Sequence, residues 1–203
     1  MKIFLGITGA SGALYGLKLI NELNKKRDVE LHISITQDGV TNINLETDLK
    51  LNTPFEIVEK LSLNINKTFV YDVRDFAARP SSGSFKIDKY IICPASMGFV
   101  GRVSAGVSSN LLERVSDVAL KENRDLVVVF REAPLNQIHL ENLLKLSRAG
   151  AKIIPAAPAF YHKPNSIEDL VLFVVGKIFD IIDIEHELFQ RWGAGYENGM
   201  QKM

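Results

Sequence analysis

The chain has 203 residues, and 24 Lys and Arg offset 24 Asp and Glu, so it carries no net formal charge. That balance gives no electrostatic footprint for nucleic acid or an anionic membrane, and neither is expected as a partner. One cysteine, Cys93, cannot form an internal disulfide. With a start that lacks a signal-peptide pattern, this predicts a cytoplasmic protein.

The first element is an apolar strand over residues 3–7 that runs into a small-residue turn, Gly6-Ile7-Thr8-Gly9-Ala10-Ser11-Gly12. A helix is expected from about Ala13, with Leu14, Leu17, Ile20 and Leu23 on one face. Glycines allow a tight turn and close approach of a ligand, and the N–H groups of the next helix would face a phosphate there. The dinucleotide fingerprint is G-x-G-x-x-G with an acid about 20 residues on. Here the spacing is G-x-x-G-x-x-G, and the second strand, 29–35, ends near Ser34 rather than at an acid. A mononucleotide fits this better than a dinucleotide.

Further strands are predicted at 89–93, 125–130 and 151–154, and helices at 38–48, 53–63, 98–123, 136–149 and 166–184. In the helix at 136–149, Ile138, Leu140, Leu143, Leu144 and Leu146 form a broad apolar stripe. The strands holding Tyr90-Ile91-Ile92-Cys93 and Leu126-Val127-Val128-Val129-Phe130 are apolar on both faces. Such strands belong to a parallel sheet covered on both sides. The expected fold is a doubly wound, Rossmann-like α/β sandwich with a mostly parallel sheet and helices on both faces. One domain over 1–193 is expected, with 194–203 as a flexible C-terminal tail. Charges at Glu168, Asp169, Lys177, Asp180 and Asp183 argue against a membrane span in the most apolar late segment.

In such sheets ligands sit beyond the carboxyl ends of the strands, so the strand exits are the places to look. They hold Gly9-Ala10-Ser11, Ser34, Ser96-Met97-Gly98, Arg131-Glu132 and the run 155–161. Asn110, Arg114, Asp117 and Lys121 recur at helical spacing, which fits either a solvated stripe of ion pairs or an anion site. Arg131-Glu132 places charge at the rim of a buried strand, where it needs a partner or a ligand. Tyr161, Lys177, Glu46 and Trp192 are uninformative singly. Cys93 reads as a core thiol. His32, His139, His162 and His186 show no metal-ligand spacing, so no metal is expected.

Taken in order, the segments resemble the UbiX-type flavin prenyltransferases over essentially the whole chain. They are the glycine turn, Leu45-Glu46-Thr47-Asp48, Ser82-Gly83-Ser84, Cys93-Pro94-Ala95-Ser96 and Asn110-Leu111-Leu112-Glu113-Arg114. Asp117-Val118-Ala119-Leu120-Lys121-Glu122, Arg131-Glu132-Ala133-Pro134, Ile138-His139-Leu140-Glu141-Asn142, Pro155-Ala156-Ala157-Pro158, Phe160-Tyr161 and Arg191-Trp192-Gly193 continue the series. The resemblance implies transfer of a dimethylallyl group from dimethylallyl phosphate to N5 and C6 of reduced FMN, without a metal. The product, prenylated FMN, would serve a UbiD-type decarboxylase, and the protein would be a dodecamer built from trimers with sites at subunit interfaces. It further implies FMN contacts from Gly9, Ala10, Ser11, Ser34, Ser96, Met97, Gly98, Phe99 and Arg131. The prenyl phosphate would be held by Arg114, Lys121, Tyr161 and Lys177, with Trp192 near the prenyl pocket. Glu46, Glu132, Lys121 and Ser11 would be catalytic. Two departures stand out: Phe99 replaces a common hydroxyl residue, and Lys177 replaces a common arginine. Alternatives within reach are an FMN-dependent decarboxylase of the aromatic-acid or cysteine type, and a non-catalytic flavin carrier.

Overall fold

Every neighbouring strand pair in the sheet is parallel, and the order is β3-β2-β1-β4-β5-β6. The structure is a computed structural model that describes residues 1–193; the expected tail at 194–203 lies outside the described residues. The strands are β1 (Lys2–Ile7), β2 (Glu30–Ile35), β3 (Thr68–Tyr71), β4 (Lys89–Ala95), β5 (Asp125–Phe130) and β6 (Lys152–Pro155). The helices are α1 (Ala13–Lys25), α2 (Gln37–Glu46), α3 (Ile57–Lys60), α4 (Met97–Ser104), α5 (Leu111–Lys121), α6 (Gln137–Arg148) and α7 (Ile167–Ile181). The chain divides into two compact units, Met1–Ala156 and a second beginning at Ala157.

In the first unit both sheet faces are covered. Phe4, Tyr90, Ile92, Leu126 and Val128 pack on one face with Phe99, Val100, Leu112, Val115 and Leu146 from α4, α5 and α6. On the other face α1 approaches so closely that a Cβ on Gly16 would lie 2.6 Å from the Cys93 carbonyl oxygen. Glycine at that position is what lets the helix seat on the sheet. β1 lies between β2 and β4, whose connections leave on opposite sides. The chain therefore reverses its winding at β1, and a crevice opens at the carboxyl ends of β1, β2 and β4.

Several sequence expectations change. The strand β3 gave no signal beforehand, because Thr68-Phe69-Val70-Tyr71 is short and only Thr68 is buried. The expected helix at 53–63 is a 3-10 turn, Pro54–Glu56, followed by the single-turn α3. The expected long helix at 98–123 is two helices. Gly106 takes a left-handed φ of +73° between them, and Asn110 caps α5 through its side chain instead of lying on a helical face. In α6 Leu143 and Leu146 are buried, but Ile138, Leu140 and Leu144 are 66%, 54% and 51% exposed. The apolar stripe thus splits into a core seam and an open edge. Leu14 in α1 is likewise exposed, while Leu17, Ile20 and Leu23 are buried as expected. Among the described residues no helix is long and apolar enough to cross a membrane.

Candidate active site

The crevice is a cleft of about 550 Å³ lined by Thr8, Gly9, Thr36, Asp38, Val73, Arg74, Ser96, Gly98, Phe99, Arg102, Ser109 and Asn110. The local sequence builds it. Thr8 at the end of β1 donates its hydroxyl proton to the Pro94 carbonyl at 2.8 Å and accepts from the Ser96 N–H at 2.8 Å. This ties the exit of β1 to that of β4. Ser96 then caps α4 by accepting from the Phe99 N–H at 3.3 Å. Thr36 caps α2 by accepting from the Gly39 N–H at 3.0 Å. Two helix N-termini, α2 and α4, therefore open onto one cleft, which favours an anionic group there. A Cβ on Gly9 would come 2.4 Å from Asp38 Cβ, so glycine allows α2 to close against the turn.

The N-terminus of α1 is occupied differently from the sequence expectation. Gly12, at φ +101°, ends the turn, and its N–H and that of Ala13 both donate to Glu46 Oε2 at 2.8 Å. A carboxylate from the end of α2 takes the donors that the glycine spacing had suggested for a phosphate. Glu46 Oε1 has no partner among the described residues. Arg131, at the exit of β5, donates from Nε to the Ser11 carbonyl at 3.1 Å. Glu132, exposed, accepts from its neighbour Ala133 N–H at 3.1 Å. Ser11, Glu46 and Arg131 are thus gathered around one turn.

The remaining expected residues lie elsewhere. Ala10 and Met97 are buried beside the cleft-lining Gly9 and Gly98, and Phe99 is 1% exposed, a core ring as well as part of the wall. Ser34 is fully buried in β2, and its hydroxyl has no partner among the described residues. Arg114 bonds the Ser81 carbonyl at 3.2 Å and Asp117 at 2.9 Å, and Lys121 pairs with Glu122 at 2.8 Å. Lys121 ends α5 four residues before β5 begins at Asp125, so it stands at the amino edge of the parallel sheet. The glycine turn stands at the carboxyl edge, a strand of six residues away, or about 20 Å. Within this one chain the structure does not bring Lys121 to Ser11 and Glu46. In the second unit Tyr161 meets Trp192 edge-on at 5.1 Å and Phe173 at 5.9 Å. Trp192 is 74% exposed, and Lys177 pairs with Asp180 at 3.2 Å.

Sequence reasoning missed the Arg102–Glu113 pair, Nε to Oε1 at 2.6 Å. No spacing rule joins residues on separate helices, and the pair depends on the loop between α4 and α5. Glu113 is fully buried. Burial would raise its carboxyl, but hydrogen bonds from Ser109 and Arg102 outweigh this and the net shift is downward. Cys93 is buried, and burial pushes its thiol well above the ordinary range, so it is a core group and no nucleophile. Among the described residues no group of three or more His, Cys, Asp or Glu could hold a metal ion.

Comparison with known proteins places the chain in a family. The Flavoprotein family profile matches residues 1–179. The chain is 45% identical over 195 residues to a flavin prenyltransferase UbiX of Halalkalibacterium halodurans, covering 96% of this chain and 94% of that one. It is similar to a crystal structure of a UbiX protein in complex with FMN and dimethylallyl pyrophosphate, with a TM-score of 0.87 and 40% identity over 95% of this chain and 97% of the other. A dodecameric FMN-dependent UbiX-like decarboxylase from Escherichia coli matches with a TM-score of 0.87 and 40% identity, over 95% and 99% of the two chains. With its parallel sheet, its cleft at the winding reversal and this likeness over nearly the full length, the chain belongs to the Flavoprotein family and, within it, to the UbiX-type flavin prenyltransferases.

Proposed function

We propose that the chain transfers a dimethylallyl group from dimethylallyl phosphate to N5 and C6 of reduced FMN, giving prenylated FMN for a UbiD-type decarboxylase. The residues present suit FMN. The cleft pairs two helix N-termini with glycine at Gly9 and Gly98, and Ser34 offers a buried hydroxyl without a partner. Gly9, Ala10, Ser11, Ser34, Ser96, Met97, Gly98, Phe99 and Arg131 would hold it. Bound there, reduced FMN supplies the nucleophilic ring.

The observation that carries the reading is Glu46. Two backbone N–H groups fix one carboxylate oxygen and leave the other available beside Ser11. A base held in this way can take the proton released from flavin C6 as the new ring closes. Glu132, exposed next to Arg131, can shuttle to the departing phosphate the proton that N5 loses on alkylation. Arg114, Lys121, Tyr161 and Lys177 would stabilise the charge that develops on that phosphate, and Trp192 would border the prenyl chain. Lys121 lies at the opposite sheet edge from the glycine turn, so its role requires a second copy of the chain. The dodecameric relative supports that assembly, here taken as a dodecamer of trimers. The family match runs past Ala156 to residue 179, which supports one FMN domain over 1–193. Fixed cations are the groups assigned to the leaving phosphate, and the transfer is taken as metal-independent. A single buried thiol fits a cytoplasmic setting.

Incubation of the protein with reduced FMN and dimethylallyl phosphate or its pyrophosphate tests this by mass spectrometry of the released flavin. One added dimethylallyl group, formed with the monophosphate, is the expected result. Flavin that binds but gains no prenyl mass with either donor overturns the assignment and leaves a carrier.

A further inference from the structure

Arg102 has a fixed position and no assigned task. It projects from α4 into the wall of the cleft, with its side chain 48% exposed. Its Nε is clamped to Glu113 Oε1 at 2.6 Å. Glu113 is itself held by the Ser109 N–H at 2.7 Å, the Ser109 hydroxyl at 2.6 Å and the Asn110 amide at 2.8 Å. Four donors on one fully buried carboxylate leave the guanidinium little freedom. Its terminal nitrogens, Nη1 and Nη2, have no partner among the described residues. Nη1 lies 3.3 Å from where a Gly98 Cβ would stand, so the fork sits against the first turn of α4. Of the early N–H groups of that helix, Ser96 takes the one on Phe99. Those of Met97 and Gly98 have no partner among the described residues.

An arginine anchored through Nε by a buried carboxylate, with both terminal nitrogens open beside unpaired backbone donors, is built to grip a tetrahedral oxyanion by two parallel bonds. Arg74 adds a second cation to the lining, and Asp38 is the acidic residue there. We propose that Arg102 anchors the phosphate of the flavin nucleotide, with Glu113 as its positioning residue, and thereby selects FMN over riboflavin. This rests on the reading of the cleft as the flavin site.

FMN and riboflavin differ by that phosphate alone, so their affinities measured side by side by flavin fluorescence quenching isolate the effect. The wild type should prefer FMN. Arg102→Gln, at a half-exposed position, should weaken FMN about 10- to 100-fold, the worth of a charge-assisted pair, and leave riboflavin unchanged. Arg102→Lys should recover part of the preference, since it keeps the charge and loses the fork. Glu113→Gln should lower the preference with Arg102 intact. If the wild type binds neither flavin, the reading of the cleft falls and the proposal with it. If the wild type prefers FMN and Arg102→Gln keeps the full preference, the assignment of Arg102 alone is overturned.

Discussion

Replacing Glu46 separates two roles that one carboxylate fills. Its Oε2 accepts from the Gly12 and Ala13 N–H groups at 2.8 Å each, satisfying two of the donors that α1 leaves open at its N-terminus. Its charge also faces the positive end of the helix dipole. Glu46→Gln keeps an acceptor of the same reach and loses the charge, a loss of about 0.5–1 kcal/mol. Glu46→Ala loses both bonds, about 1–2 kcal/mol on the scale of a removed N-cap. In a chain of this size a melting temperature moves about 2–4 °C per kcal/mol, so the two variants should melt about 1–4 °C and about 2–8 °C lower. The chemistry should respond far more. A glutamine cannot take a proton, and losing a positioned base slows the dependent step about 10²- to 10⁴-fold. Differential scanning fluorimetry and timed mass spectra of the flavin adduct read the two effects apart. Maturation at the wild-type rate in Glu46→Gln would refute the proton-transfer role. An unchanged melting temperature in Glu46→Ala would refute the helix-capping geometry.

Three further outcomes are expected. Asp180 is bonded by Arg191 at 2.8 Å, His186 at 3.1 Å and Lys177 at 3.2 Å. Burial would raise its carboxyl, but these bonds outweigh it and hold the pKa at about 2 against an ordinary 3.8. A depressed carboxyl stabilises the fold above the ordinary value and loses that contribution as pH falls toward about 2. Asp180→Asn should therefore cost about 1 kcal/mol at neutral pH, given that Arg191 and Lys177 are open to solvent, and the difference should shrink below pH ~4. Trp192, the single tryptophan, reports this by fluorescence, and equal neutral-pH stabilities would contradict the ion-pair account. Co-expression of Glu46→Gln with a variant lacking Arg114 and Lys121 should restore prenylation that neither has alone, as the proposed site shared between copies requires; an inactive mixture would argue for a site within one chain. Cys93 should resist iodoacetamide in the native protein and react once unfolded, and rapid native labelling would contradict its buried, protonated state.

The elements with strong periodicity were legible beforehand. β4 and β5 are apolar runs that need cover on both faces, and α1 has an apolar stripe, so the doubly wound α/β class follows from the pattern. The break between α4 and α5 was not legible, because Gly106 and the serines after it interrupt the apolar pattern too briefly to stand out. α6 misled for another reason: its apolar residues exceed what one chain buries, and periodicity says which residues share a face without saying how wide the buried seam is.

The glycine turn, the strand exits and the ordered segments were enough to place the chain among flavin prenyltransferases, because those features are local and the chemistry of each residue type is fixed by its side chain. What took the donors of α1 was decided by folding: Glu46 arrives there from 34 residues away. Folding likewise set Arg102 on a buried Glu113 and put Lys121 at the far edge of the sheet. Sequence spacing governs neighbours along one helix or strand. Contacts made across elements depend on how the sheet winds, and that is where the site acquires its geometry.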